Sequence, residues 1–430
     1  LIDDMGYTDF SCYGGTRTQT TNIDHLASEG IKFTQFYVAA PICSPSRVGF
    51  TTGQYPNRWH ITSYLETRKR DEERGMVDWL NLKAPTLART LHDNGYYTAH
   101  VGKWHMGGAR DCDDAPLITE YGFDTSLTSF EGLGDRIHPL FDGEDRRGPW
   151  TPNAKTGHGK VSYVERYRET QTFVDRALAE MDNAAKANKP FYINLWPDDV
   201  HSPCLAPPKM RGDKSPAANY VGVLKELDNQ FGRVFDHIKN DGKLRDNTII
   251  VIASDNGPEK GMGLCGDLRG SKGQLYEGGI RLPLIVWSSR IEKSAVGSTN
   301  GKTVVSAVDL APSLLAISDI NKPADVKYDG SDMSAVLLGK SKAPRETPVM
   351  WVRPPDRPGP NGQLPDLAIR DGKWKVLVKR DGSNVELFDI FADPNEKKNL
   401  AKAEPEIAKK LSEQVIAWDQ SIPQKAVAAN

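Results

Sequence analysis

The chain has 430 residues, with 55 Lys+Arg against 57 Asp+Glu, enough length for a large core and a smaller unit attached to it. The near-neutral balance gives no reason to invoke a nucleic-acid partner. The longest apolar runs, "TIIVIA" and "LPLIVW", are strand-sized and too short to span a bilayer, so no membrane span is expected.

The opening "LIDDMGY" reads as the end of a buried strand running into an acidic turn. The rest of that strand, and an export signal, are expected upstream of Leu1. Residues 41–53, "PICSPSRVGFTTG", set Cys43 among prolines and serines, with Arg47 four residues later. A packing cysteine would sit in an apolar run. The other cysteines (Cys12, Cys112, Cys204, Cys265) are scattered without a CxxC pair, so at most one or two bridges are expected.

"KAPTLARTLHDNGY" reads as a helix stopped by Gly95, feeding the strand "YTAHVGKWH". A long amphipathic helix over 163–189 leads into the buried strand "PFYINLWPDD", and a second helix over 218–241 precedes the central strand in "NTIIVIASDNG". This alternation predicts an α/β unit with a large, mainly parallel sheet flanked by helices over 1–340. Past "YDGSDMSAVLLGK" the texture changes, and 341–430 reads as an antiparallel sheet with one helix near 404–418, interrupted by the Pro-rich loop "RPPDRPGPNGQLPD". No internal repeat is evident.

In such sheets functional groups gather at the carboxyl ends of the strands. "DDMG", "GKWH", "PDDVHSP" and "SDNG" each follow an apolar strand, so four polar turns should converge on one rim. Asp3, Asp4, Asp255 and Asn256 offer hard oxygen ligands without thiolate or imidazole, a set that suits Ca²⁺ or Mg²⁺ rather than zinc. Arg47, Lys103, His105, His201 and Lys272 supply cations and proton carriers; Lys103 and His105 lie two apart, on one face of an extended segment. "GSKG" around Lys272 lacks the Walker spacing, which weakens a nucleotide reading. The set suits a small tetrahedral anion held between a divalent metal and basic side chains.

"CSPSRVGFTTG" resembles the Cys-x-Pro-Ser-Arg signature of the formylglycine-dependent sulfatases, and "GKWH", "SDNG" and "GSKGQLYEGGIRLP" match further motifs of that family in order over nearly the whole chain. Within the family it is most similar to carbohydrate sulfatases of the N-acetylgalactosamine-6-sulfatase/arylsulfatase type. The resemblance implies an alkaline-phosphatase-like fold and conversion of Cys43 to formylglycine by a formylglycine-generating or anaerobic maturation enzyme, with Pro45 and Arg47 in the recognition signal. One hydroxyl of the hydrated aldehyde would attack sulfur, and loss of the other proton would expel sulfate. It further implies one Ca²⁺ held by Asp3, Asp4, position 43, Asp255 and Asn256, with Asp255 also able to take the nucleophile's proton. Arg47 and Lys103 would stabilise the ionised diol, His105 would help remove the second proton, and His201 and Lys272 would bind sulfate and protonate the leaving oxygen.

The expected substrate is a sulfated oligo- or polysaccharide carrying galactose or N-acetylgalactosamine units, met in the periplasm or outside the cell. Asp198, Asp199, Trp351 and Arg353 are the candidates for sugar contacts; Trp351 reads equally well as packing between the two units. Two alternatives stand beside this reading: a phosphomonoester or phosphonate hydrolase of the same superfamily, and a silent protein that binds sulfated glycans.

Overall fold

The computed structural model describes residues 1–108, 110–129, 131–144, 158–212 and 215–422. In chain order the strands are β1 (Ile31–Tyr37), β2 (Tyr97–Gly102), β3 (Thr125–Leu127), β4 (Arg136–Leu140), β5 (Val161–Glu165), β6 (Phe191–Trp196), β7 (Ile249–Ala253), β8 (Arg281–Ser288), β9 (Thr299–Asn300), β10 (Val305–Ser306), β11 (Val349–Val352), β12 (Leu367–Asp371), β13 (Trp374–Val378) and β14 (Glu386–Asp389). β3, β2 and β6 form a parallel sheet, and β10, β1, β8 and β7 lie in that order in a second, with β9 also on β1. Leu1–Asp3 joins the two: Leu1 donates to Leu195 at 2.9 Å and Ile2 to the Ala253 carbonyl at 2.9 Å, while Asp255 donates back to Ile2.

The pairing is mainly parallel, as expected, with one exception: β8 runs antiparallel to both β1 and β7. A parallel return needs a crossover to the opposite end of the sheet. The 254–280 connection has only the short helix Glu277–Ile280 and stays at the end where β7 finishes, so β8 re-enters from there. Alternation along β8 then splits the core: Leu282, Leu284 and Val286 join one apolar cluster, and Ile285 and Trp287 the other. Helices Thr21–Glu29, Glu169–Lys186 and Pro216–Asn240 cover the second cluster's face, and Cys43–Thr52 and Ala307–Ile317 the first. The helix expected from 163 begins at Glu169, since Val161–Glu165 pairs with β4 as a strand.

β11–β14 form an antiparallel sheet in sequence order, against which the helix Pro405–Ser421 packs through Leu411 and Val415. No helix among the described residues is long and apolar enough to cross a membrane.

Candidate active site

Cys43 opens the helix Cys43–Thr52, every residue of which is buried. Arg47 lies one turn on, so the 3.6-residue period puts both side chains on one face. Arg47 donates from Nε to Asp255 Oδ2 at 3.0 Å and from Nη1 to the Lys103 carbonyl at 2.7 Å, and stacks over Trp196. Gly102 ends β2 at φ 118, and a Cβ there would meet the Trp196 carbonyl at 2.1 Å; only glycine lets the chain turn so close to β6 and deliver Lys103. Lys103 Nζ reaches Asp3 Oδ2 at 2.5 Å. Lys272, carried in by the Gly-rich loop, reaches Asp4 Oδ2 at 2.6 Å and His201 Nε2 at 3.2 Å. His201 Nδ1 faces the Ser202 carbonyl at 2.6 Å, so the ring hydrogen sits on Nδ1 and Nε2 accepts from Lys272.

The four strand-end turns therefore meet, and their electrostatics are tense. Burial opposes ionisation of Asp3, yet Lys103 and Arg47 hold its carboxyl well below the usual range. Asp255 is pushed well above that range by burial and then by the charge of Asp3, and burial raises Asp4 as well. Burial would raise the Cys43 thiol, but Lys103, Lys272 and a hydrogen bond with His105 bring it to about 7. Burial disfavours a charged His105, but Glu131 overrides it and lifts the imidazole to about 9. Asp4 and His105 adopt left-handed backbone conformations (φ 56 and 55), the kind of strain held in place at functional sites.

Ligand atoms of Asp3, Asp4 and Cys43 lie within 4.8 Å of one another. Asp3 Oδ1 and Asn256 Oδ1 are buried and accept no hydrogen bond, while the Asn256 amide nitrogen is committed to Asp4 Oδ1 and the Gly257 carbonyl. Crowded carboxylates with oxygens turned inward are the donor set of a hard divalent cation, so these residues fit Ca²⁺.

Four of the expected sugar contacts belong elsewhere. Trp351 is fully buried: its ring packs on Tyr37 and its Nε1 donates to the Val38 carbonyl at 2.7 Å, so it has no free face for a sugar. Arg353 is spent on the Pro365 and Pro354 carbonyls and on Asp366. Asp198 accepts from Ser129 and pairs with Arg166, and Asp199 is 1 % exposed. Arg166 also donates to the His201 carbonyl at 3.0 Å; this buried group braces the turn that presents His201. Asp198, Asp199 and Arg353 follow strands and Trp351 lies within β11, but which element covers them depended on folding.

Two residues escaped the sequence reading. Glu131, in the turn after β3, lies 3.1 Å from His105. The rule that polar turns at strand carboxyl ends carry function would have reached it had β3 been recognised, but three residues give too short a pattern. Glu259 lies 3.5 Å from Lys272 and 3.9 Å from His201, three residues past Asn256, in a loop with no periodic signal.

Residues 1–320 match the family model described as "Sulfatase", and 271–421 match "N-sulphoglucosamine sulphohydrolase, C-terminal". The chain is 28% identical to an N-acetylgalactosamine-6-O-sulfatase of Bacteroides thetaiotaomicron, over 96% of this chain and 91% of the relative. It is 30% identical to arylsulfatase A of Bos taurus, over 95% of this chain and 83% of the relative. Among solved structures, Ps i-CgsB in complex with k-i-k-neocarrahexaose superposes with a TM-score of 0.81 at 25% identity, covering 100% of this chain and 94% of that one. The fold is accordingly that of the alkaline-phosphatase-like sulfatases. The chain belongs to the sulfatase family and is a sulfuric ester hydrolase.

Proposed function

We propose that the enzyme removes sulfate from galactose or N-acetylgalactosamine units of a sulfated polysaccharide, using formylglycine at position 43 and one Ca²⁺. The observation that carries this reading is the meeting of position 43, Arg47, Lys103, His105 and Lys272 with three carboxylates and one amide oxygen at a single sheet edge. The relatives and the complex named above support a sulfated glycan as partner, and a polysaccharide of that kind is met in the periplasm or outside the cell.

Asp3, Asp4, Asp255 and Asn256, with an oxygen at position 43, would hold the cation, which supplies Lewis-acid polarisation of a sulfate oxygen. Formylglycine, once hydrated, supplies a nucleophilic hydroxyl and a second one through which sulfate can leave. The protein's own groups do the rest. Arg47 and Lys103 place fixed positive charge beside position 43, where negative charge develops. His105 takes and returns the proton there. Lys272 holds sulfate and, directly or through His201 Nε2, hands a proton to the departing sugar oxygen. With Trp351 and Arg353 committed to packing, sugar contacts fall to more exposed side chains around the opening: Glu259, and Arg357, whose stem lies against Gly273 next to Lys272.

Cys43 is 2 % exposed in the folded chain, so the maturation enzyme has to act before this helix is packed. Mass analysis of the peptide holding position 43 should find an aldehyde, and a panel of sulfated galactose and N-acetylgalactosamine oligosaccharides should be turned over faster than aryl sulfates. A thiol in fully active enzyme, or activity confined to aryl sulfates, would count against the proposal. Cys43→Ser should release at most about one alcohol per enzyme molecule, because serine has no second hydroxyl to open the ester. Sustained turnover by this variant would sink the two-step route.

A further inference from the structure

Glu131 sits in the turn between β3 and β4 and is 2 % exposed. Both its backbone and its side chain serve His105: the Glu131 carbonyl accepts the His105 N–H at 3.0 Å, and its Oε2 lies 3.1 Å from Nε2 of the ring. The Leu65 carbonyl lies 3.3 Å from the same nitrogen. Two buried oxygens facing one ring nitrogen require a hydrogen on it, since neither a carbonyl nor a carboxylate can donate. His105 and Cys43 are in side-chain hydrogen-bonding reach of one another, and with Nε2 so committed Nδ1 is the ring nitrogen left to exchange a proton with position 43. The other carboxylate oxygen is fixed as well: Arg110 Nε donates to Glu131 Oε1 at 2.9 Å, and Arg110 is paired in turn with Glu66 at 3.0 Å. Glu131, like His105, has positive φ (48), a conformation that survives where surrounding contacts over-determine it.

We propose that Glu131 is a positioning residue for the reaction: it fixes the tautomer and ring orientation of His105 so that Nδ1 serves position 43. Cys43, His105 and Glu131 then form a continuous series from nucleophile to buried carboxylate, the same logic by which an acidic group orients a catalytic histidine in unrelated hydrolases. Glu131 acts on the substrate only through His105. The assignment rests on the reading of His105 as the group that takes and returns the proton at position 43.

The test is a double-substitution cycle on mature enzyme, with conversion at position 43 checked by mass in every variant. The probes are 6-sulfated N-acetylgalactosamine and, in parallel, a fluorogenic aryl sulfate. Glu131→Ala should lower kcat by about 10- to 100-fold, the range for loss of a group that orients a functional histidine, with KM within about twofold. Glu131→Gln keeps one accepting oxygen, but its amide NH₂ must face either Arg110 or His105, so a several-fold loss smaller than that of Glu131→Ala is expected. In a His105→Ala background either Glu131 substitution should cost nothing further, because residues acting as one unit are not additive. Losses that add in the double variant would overturn the assignment, placing the effect of Glu131 somewhere other than His105. If Glu131→Ala fails to fold, the cycle is run with Glu131→Gln, where a several-fold loss that vanishes beside His105→Ala supports the proposal and one that persists overturns it. Wild-type enzyme that hydrolyses neither probe would overturn the functional reading itself, and the assignment with it; turnover with an additive cycle tells against Glu131 alone.

Discussion

Two of the buried charge clusters among the described residues are built from similar residues to different ends. Between the two units, Glu277 accepts from Tyr37 at 2.7 Å and Lys375 at 2.9 Å, with Arg281 at 3.4 Å and Arg370 at 3.9 Å; Lys375 also meets Glu396 at 2.9 Å. Against the cost of burial, Lys375 and then Arg370 draw Glu277 down to about 2. At the active site Asp3, Asp4 and Asp255 face Arg47, Lys103 and Lys272, a comparable balance. Yet Asp255 and Asp4 are pushed up and inward oxygens stay without a hydrogen bond. The difference is arrangement. Cations surround Glu277, whereas three carboxylates crowd one sheet edge with the cations at their rim. A surrounded carboxylate fastens two elements together, while a crowded set keeps its affinity for an incoming charge.

The sharpest way to break this contrast is to remove one acid from each cluster. Asp255→Ala should lower kcat/KM by about 10³-fold or more, on the scale of losing a fixed electrostatic group at a reacting centre, with a smaller loss of melting temperature than Glu277→Ala, because Asp3 remains beside Arg47. A destabilised but active variant would erase the distinction. Exhaustive chelation should likewise abolish turnover and lower the melting temperature, with Ca²⁺ restoring both. At free Ca²⁺ of about 100 times Kd the expected stabilisation is about 2.7 kcal/mol, and full activity in a verified metal-free sample would refute the ligand assignment.

Glu277→Ala should do the reverse of Asp255→Ala, because it strands Lys375 and Arg370 in the interior. A loss of about 3–5 kcal/mol is expected, read by denaturant unfolding, with turnover per folded molecule little changed. The smallest effect belongs to Glu396, which burial raises to about 7 despite Lys375. Its folded value lies above its unfolded one, near 4.3, so its stabilising contribution is present below that pH and is lost as pH rises through about 7. Glu396→Gln should therefore gain stability relative to wild type between about pH 4.5 and 7. A melting-temperature difference that stays flat across this window would show that Lys375 compensates the charge fully.

Much of the site was legible because it is local. The i, i+4 spacing of Cys43 and Arg47 and the position of each polar turn after an apolar strand follow from helix and strand geometry alone; Lys103 and His105, expected on one face of an extended segment, instead lie past the end of β2, with His105 at positive φ. Asp3 and Asp255, 252 residues apart in the chain, were grouped correctly because the strand-end rule needs no knowledge of strand order. The direction of one strand was not legible, since the alternation of helices and strands does not reveal that 254–280 returns without a crossover and leaves β8 antiparallel.

The sequence by itself determined the chemistry: the hard-oxygen set, the basic set, the unusual cysteine, and the family to which their order points. Tertiary structure decided what each side chain is free to do. Trp351 reads equally as a rim residue or as packing between the units and Arg353 as a rim residue; their burial against Tyr37, Val38 and Asp366 is set by how β11 meets β1 and its neighbours. Glu131 has no signature of its own and gains a role only because the turn after β3 closes over His105. The physical reason is common to both. Residue type and spacing fix which groups a segment offers, whereas burial and partnership depend on the distant segment that covers it, and that choice is made by the packing of the whole sheet.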